Sequence, residues 1–140
     1  IKVLINCAGI NYIDWMEKVS VENFDDVMNT NAKGIWLTTK IFLDHLKDMK
    51  GTVVNVISNA YKVPMTHSIA YNASKGAAAI MTRQMARELQ IAHGICVFGI
   101  CPNKLKGTRM SKQIEKRVCE IRGWTEATSQ YPQPISTTIS

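Results

Sequence analysis

No apolar run in the 140 residues approaches the roughly 18 to 20 that a membrane-spanning helix needs. No charged segment followed by apolar and then small residues marks a secretory signal. A soluble, cytoplasmic protein with no membrane partner is the expectation. The four cysteines, Cys7, Cys96, Cys101 and Cys119, include no pair in the two-residue spacing of zinc ribbons or thioredoxin-like sites, so no metal site or redox dithiol is expected. They read as reduced, mostly buried thiols acting as small hydrophobes beside strands. There is no internal repeat, and the opening strand starts without an initiator methionine or a lead-in.

What is present is an ordinary globular composition, 46% hydrophobic and 20% charged, on a chain long enough for one domain. The net charge of +6 is localised. Lys104, Lys106, Arg109, Lys112, Lys116, Arg117 and Arg122 stand against Glu115 and Glu120, a net of +5 that leaves +1 for the rest. Any argument from basicity therefore concerns that segment alone. With Trp124 the one aromatic nearby and no recognised binding motif, a nucleic-acid partner is not expected.

Residues 2–6, ended by Cys7-Ala8-Gly9, fit a short buried parallel strand and its exit loop. Ser20 offers an N-cap and Glu22 a first-turn negative charge. The helix that follows carries Phe24, Val27, Met28, Ile35, Phe42 and Leu46 on one apolar face, with Gly34 as the point where it bends or tightens. Residues 51–57 are rich in β-branched side chains and predict a second strand. Residues 69–93, rich in Ala, Met, Gln, Arg and Glu and free of proline, predict a long helix capped by Gly94. Residues 95–101 predict a third strand, stopped by Pro102.

A strand, helix, strand, helix, strand order with crossovers too long for hairpins predicts parallel strands covered by helices: an α/β, Rossmann-like doubly wound sheet, present as a partial β-α-β-α-β portion. A short helix is expected near residues 110–121. Residues 1–123 read as the core, with 104–123 its basic segment. Residues 124–140, dominated by Thr, Ser, Gln and Pro, read as a poorly ordered polar tail.

The chemistry centres on Tyr71-Asn72-Ala73-Ser74-Lys75. Residues four apart share a helix face, so the phenol of Tyr71 and the ammonium of Lys75 can enter one cleft. A nearby ammonium favours the phenolate and draws a tyrosine toward general acid/base work. Ser58 lies thirteen residues earlier, directly after the second strand, where the carboxyl end of a parallel strand opens into a ligand crevice. Its hydroxyl can hold a carbonyl or alcohol oxygen beside Tyr71, or it can simply bond its own loop.

Tyr, three residues, Lys, preceded by a serine at a strand end, resembles the short-chain dehydrogenase/reductase family. Leu4-Ile5-Asn6-Cys7-Ala8-Gly9 is similar to its Asn-Asn-Ala-Gly motif, with Cys7 in place of the second asparagine. Asn29-Thr30-Asn31-Ala32-Lys33-Gly34 resembles the motif bearing its helical asparagine. Residues 51–58 resemble the strand leading to its serine, and Ile100-Cys101-Pro102 with Thr108 its proline motif and threonine.

The resemblance covers residues 3–108 and implies a hydride-transferring oxidoreductase that uses NAD or NADP. It implies Tyr71 as proton donor or acceptor, Ser58 as the group polarising the substrate oxygen, and Lys75 as support for Tyr71 and contact to the nicotinamide ribose. Asn31 would hold a water linked to Lys75. Asn6, Ala8 and Gly9 would border the adenosine side, with Pro102 and Thr108 near the nicotinamide. A small carbonyl or alcohol substrate follows, with the basic loop favouring an anionic one, as does a homo-oligomer packed through the two long helices.

The family's opening strand, glycine-rich turn and helix, which bind the pyrophosphate, are not in this sequence. Asn103 follows Pro102 where glycine is usual, Phe98 replaces a common asparagine, and Thr108 sits one residue late. The chain thus reads as an internal or truncated portion with an exposed hydrophobic sheet edge. The alternative to an active enzyme is a non-catalytic module acting through oligomerisation, with Ala77, Ala78, Met81 and Met85 as a contact surface.

Overall fold

The computed structural model describes residues 1–103 and 107–123. Its strands are β1 (Val3–Asn6), β2 (Thr52–Val56) and β3 (Cys96–Ile100), parallel and in the order β1-β2-β3. Val3 pairs with Thr52 and Thr52 with Cys96, and the register continues upward without a bulge. The helices are α1 (Val21–Met28), α2 (Gly34–Ile41), α3 (Leu43–Met49), α4 (Ile69–His93) and α5 (Arg109–Arg122). The expected α/β arrangement of parallel strands joined through helices is what forms.

Local chemistry sets the helix ends. Ser20 Oγ accepts from Asn23 N at 3.1 Å and opens α1. Gly94, at φ 69°, closes α4 in the left-handed conformation that costs glycine least. The expected single helix after Ser20 is three pieces. Residues Asn29–Lys33 form a widened π turn, and Phe42, at φ −93° and ψ 8°, separates α2 from α3. The disturbance therefore lies in the turn before Gly34, which is itself helical at φ −56°. Asn31 and Ala32 of this turn are both buried.

The core lies between one sheet face and the helices. Leu46, Val53, Ile95 and Val97 are buried there, with Leu4, Phe42, Leu43, Met85, Ala86 and Leu89 packed around them. Each such aliphatic side chain contributes about 1.5–3 kcal/mol on full burial. Ala78 is fully buried and Met85 joins this core, so these two members of the expected contact surface face the chain's own sheet. A second cluster of Val27, Ala60, Ala70 and Tyr71, with Tyr12, Phe24 and Met110 against it, lies toward the carboxyl ends of the strands.

The opposite sheet face is bare among the described residues. Val3 is 53% exposed, Ile5 61%, Phe98 46% and Ile100 45%. Beside the edge strands β1 and β3, one whole face of the sheet is exposed as well, where parallel sheets are ordinarily covered on both sides. This corrects the expectation for the thiols. Cys96 shares the bare face with Val3 through the strand register, and Cys7 and Cys101 follow strand ends. All three are exposed and Cys119 is half-buried, all unbonded to one another.

Candidate active site

Three loops converge at the carboxyl ends of the strands: residues 7–20 after β1, 57–68 after β2 and the segment after β3. Lys75, on the second turn of α4, is 4% exposed. Its Nζ donates to Val56 O at 3.0 Å and lies 5.6 Å from the centre of the Tyr71 ring. The four-residue spacing thus places phenol and ammonium in one corner, as the helical repeat requires. Burial pushes the Lys75 ammonium below its ordinary pKa, opposed by the nearby Cys7 thiol. An ammonium so placed has two further protons to donate.

Asn31 is fully buried. Its Oδ1 accepts from Ile10 N at 2.8 Å, and its Nδ2 donates to Ile10 O at 2.8 Å and to Ser74 Oγ at 3.0 Å. Ser74 Oγ in turn donates to Tyr71 O at 2.8 Å. The amide therefore ties the loop after β1 to the turn of α4 that carries Tyr71. A Cβ added to Gly9 would stand 3.5 Å from Asn31 Oδ1 and 3.7 Å from Lys75 Nζ, which puts Gly9, Asn31 and Lys75 around one point.

Ser58 is half-buried, and its Oγ accepts from Ala60 N at 3.2 Å. This is the loop-capping bond that a serine at a strand end tends to make. It uses a lone pair and leaves the hydroxyl proton available. Ala60 packs in the cluster that contains Tyr71, so Ser58 and Tyr71 are brought to the same end of the sheet.

The other expected site residues are placed differently. Asn6 is 9% exposed, and its Nδ2 donates beneath the sheet to Asn55 Oδ1 at 2.8 Å and Thr39 Oγ1 at 3.3 Å. Its side chain serves the interior, while Ala8 is exposed and Gly9 half-buried at the opening. Pro102 is half-buried, and its carbonyl accepts from Asn59 N at 3.4 Å beside the Ser58 loop. Thr108 caps α5, its Oγ1 accepting from Ser111 N at 3.0 Å.

Of the basic segment, Lys104 and Lys106 lie outside the described residues, as does the tail from residue 124. Arg109 is exposed. Arg117 binds Asp14 Oδ2 at 2.8 Å, Glu120 Oε2 at 3.1 Å and Ile13 O at 3.3 Å. It pins α5 across the loop after β1 and is engaged within the chain. Burial alone would raise the Asp14 carboxyl, but the bonds from Arg117 and Trp15 N and the nearby cations hold it below its ordinary value. Behind it, burial lowers the pKa of His67, whose ring meets Trp15 edge-on at 4.3 Å.

Sequence reading does not single out Ser74, Asn72 or the Asp14–Arg117 pair. Ser74 sits three residues beyond Tyr71 on the same helix face, a signal that was available. A contact between residues 14 and 117 has none, because it depends on how α5 folds back.

Comparison with known proteins accords with this geometry. The family model for short chain dehydrogenase matches residues 1–118. An uncharacterized oxidoreductase of Thermotoga maritima is 34% identical over 117 residues, 83% of this chain and 45% of that protein. A protein of Xanthobacter autotrophicus named inactive 2-(S)-hydroxypropyl-CoM dehydrogenase 2 is 36% identical over 112 residues, 79% of this chain and 48% of its own. The crystal structure of sorbitol-6-phosphate 2-dehydrogenase from Erwinia amylovora superposes with a TM-score of 0.81 at 23% identity, over 90% of this chain and 50% of that one. This chain belongs to the short-chain dehydrogenase family and has its Rossmann-like α/β fold. It spans about half the length of the curated relatives it matches.

Proposed function

We infer that this chain carries the proton-transfer centre of an NAD(P)-dependent oxidoreductase acting on a small carbonyl or alcohol compound. The observation that carries the reading is the corner where buried Lys75 stands 5.6 Å from the Tyr71 ring, with Asn31 tied through Ser74 to the Tyr71 backbone. Bound NAD or NADP would supply or take up a hydride. The donor set suits such a group: Lys75 has two ammonium protons beyond the one on Val56 O to offer to ribose hydroxyls. A Cβ at Gly9 would stand 3.5 Å from Asn31 Oδ1 and 3.7 Å from Lys75 Nζ, space that glycine leaves open, and Ala8 and Pro102 are further candidates to border the cofactor.

In the reductive direction Tyr71 gives its phenolic proton to the substrate oxygen, and in the oxidative direction it removes the proton from the hydroxyl. Ser58 keeps its own proton for a hydrogen bond to that oxygen, stabilising the charge that develops there. Lys75 places a desolvated positive charge beside the phenol. The side chain of Asn31 is engaged with Ile10 and Ser74, so a water leading from Lys75 to solvent would be held by the main chain of the π turn. The exposed outer faces of α2, with Trp36, Leu37 and Ile41, and of α4, with Ile80, are where a second copy would pack. Arg117 is already paired, so any anion preference would rest on Lys104, Lys106 and Arg109.

NADH and NADPH titrations followed by nicotinamide fluorescence, then turnover with a panel of small ketones, test the reading. Tyr71→Phe is expected to lower kcat about 10²- to 10⁴-fold while retaining cofactor binding. Absence of binding and turnover in the wild-type chain would refute the reading for this chain, and family membership alone does not decide it, since one of the relatives is named inactive.

A further inference from the structure

Tyr71 and Ser58 belong to different elements, and the loop between them must hold its shape for both to reach one oxygen atom. Asn72 is half-buried on the flank of α4. Its Nδ2 donates to Ala60 O at 2.7 Å and to Val63 O at 3.0 Å, and its Oδ1 accepts from Met65 N at 3.2 Å. A side-chain amide has two donor protons, and both are used, on two carbonyls of the same loop. The orientation of the amide is thereby fixed, since two carbonyls can face only the nitrogen and an N–H only the oxygen. Pro64 lies between two of the contacted residues and offers no N–H of its own.

The contacts form a short chain of bonds. Ser58 Oγ is held by Ala60 N at 3.2 Å, Ala60 O is held by Asn72 Nδ2 at 2.7 Å, and Asn72 follows Tyr71 in the helix. The same peptide neighbourhood that orients the serine hydroxyl is thus bonded to the residue beside the tyrosine.

We propose that Asn72 is a positioning residue for the reaction: it clamps residues 60–65 to the first turn of α4 and so sets Ser58 relative to Tyr71. This rests on the proton-transfer reading above. Asn72 touches neither the substrate oxygen nor the cofactor in this role and acts through Ser58. Misplacing a catalytic group by about 1 Å can cost on the order of 10²-fold in rate, so Asn72→Ala is expected to lower kcat about 10- to 100-fold. The pH midpoint of kcat should not move, because Tyr71 and Lys75 keep their own surroundings.

Two measurements test this on the full chain. Hydrogen exchange at Met65 N–H should accelerate at least about tenfold in Asn72→Ala, the bond to Oδ1 being lost, while amides in the middle of α4 keep their wild-type rates. Steady-state turnover with NADH or NADPH and a small ketone is then measured for wild type, Asn72→Ala, Ser58→Ala and the double variant. If Asn72 acts through Ser58, its replacement costs no further activity once the serine hydroxyl is gone. Losses that multiply in the double variant, a displaced pH midpoint, or an unchanged kcat in Asn72→Ala each overturn the proposal. Should Asn72→Ala fail to fold, the isosteric Asn72→Asp takes its place, since it keeps the acceptor for Met65 N but sets an oxygen against two carbonyls. A wild-type chain without turnover removes the reaction reading and this inference together, whereas turnover with multiplying losses removes the inference alone.

Discussion

Asn55→Leu tests whether the polar seam beneath the site holds the sheet in place. Asn55 is fully buried in β2. Its Oδ1 accepts from Asn6 Nδ2 at 2.8 Å and its Nδ2 donates to Thr82 Oγ1 at 3.0 Å, so it links β1 through β2 to α4. A leucine there strands a donor on Asn6 and an acceptor on Thr82, and a buried polar group left unmade costs about 1–3 kcal/mol. Asn6 retains its bond to Thr39 at 3.3 Å and Thr82 still donates to Ala78 O at 2.7 Å, so the lower part of that range applies to each. The loss is then about 2–3 kcal/mol, or roughly 10 °C in melting temperature for a domain of this size. Urea unfolding followed by far-ultraviolet circular dichroism would read it as a lowered midpoint at unchanged slope. The double variant Asn6→Leu/Asn55→Leu should lose less than the two single losses added, because removing both partners leaves fewer groups unpaired. A loss under about 0.5 kcal/mol in Asn55→Leu, or strict additivity in the double variant, would show that the seam is not coupled in this way.

Lys75→Met should separate stability from pH. Burial holds the Lys75 ammonium below the ordinary lysine value of 10.5, so between the lowered value and 10.5 the unfolded chain binds more protons than the native one. This makes native stability rise with pH across that window, with the penalty fully present below it. The melting-temperature advantage of Lys75→Met over wild type is therefore expected to shrink as pH is raised toward 10.5, and a difference that stays flat with pH would count against the burial argument. Gly51→Ala and Gly76→Ala form a contrasting pair under thermal melting. A Cβ at Gly51 would lie 2.8 Å from Ile1 O and 3.1 Å from Lys2 O, backbone atoms that cannot swing aside, for a loss of about 1–3 kcal/mol. Gly76 lies inside α4 with nothing within 4 Å of an added Cβ, so alanine there should gain about 0.5–1 kcal/mol. Melting shifts of the same sign would contradict the steric account.

Periodic, locally determined features were legible in the sequence. The β-branched run of residues 52–56, the proline-free stretch of α4 and Gly94 at its end each follow from backbone chemistry within a few residues. Tyr71 and Lys75 share a face for the same reason. What could not be read was non-local. The break at Phe42 and the π turn at Asn29–Lys33 depend on which side chains the sheet accepts. The exposure of Cys96 depends on a sheet face that no described residue covers. The inward turn of Asn6 follows from Asn55 and Thr39, partners 49 and 33 residues along the chain, and the clamp at Asn72 needs the path of a loop that contains little regular structure. Hydrophobic pattern identifies elements, whereas the direction of a polar side chain is settled by its partner.

The π turn amounts to one residue more than a regular helix would hold over the same rise. The widened turn takes up the surplus locally, and the regular ladder resumes on either side of it. Excising a single residue such as Thr30 would let the hydrogen-bond ladder run unbroken, and it would also turn Asn31 out of phase with Ile10 and Ser74. Insertions and deletions here are therefore not interchangeable with loop-length changes: Asn31 and the outer face of α2 share one angular setting, and altering the residue count moves the two against each other.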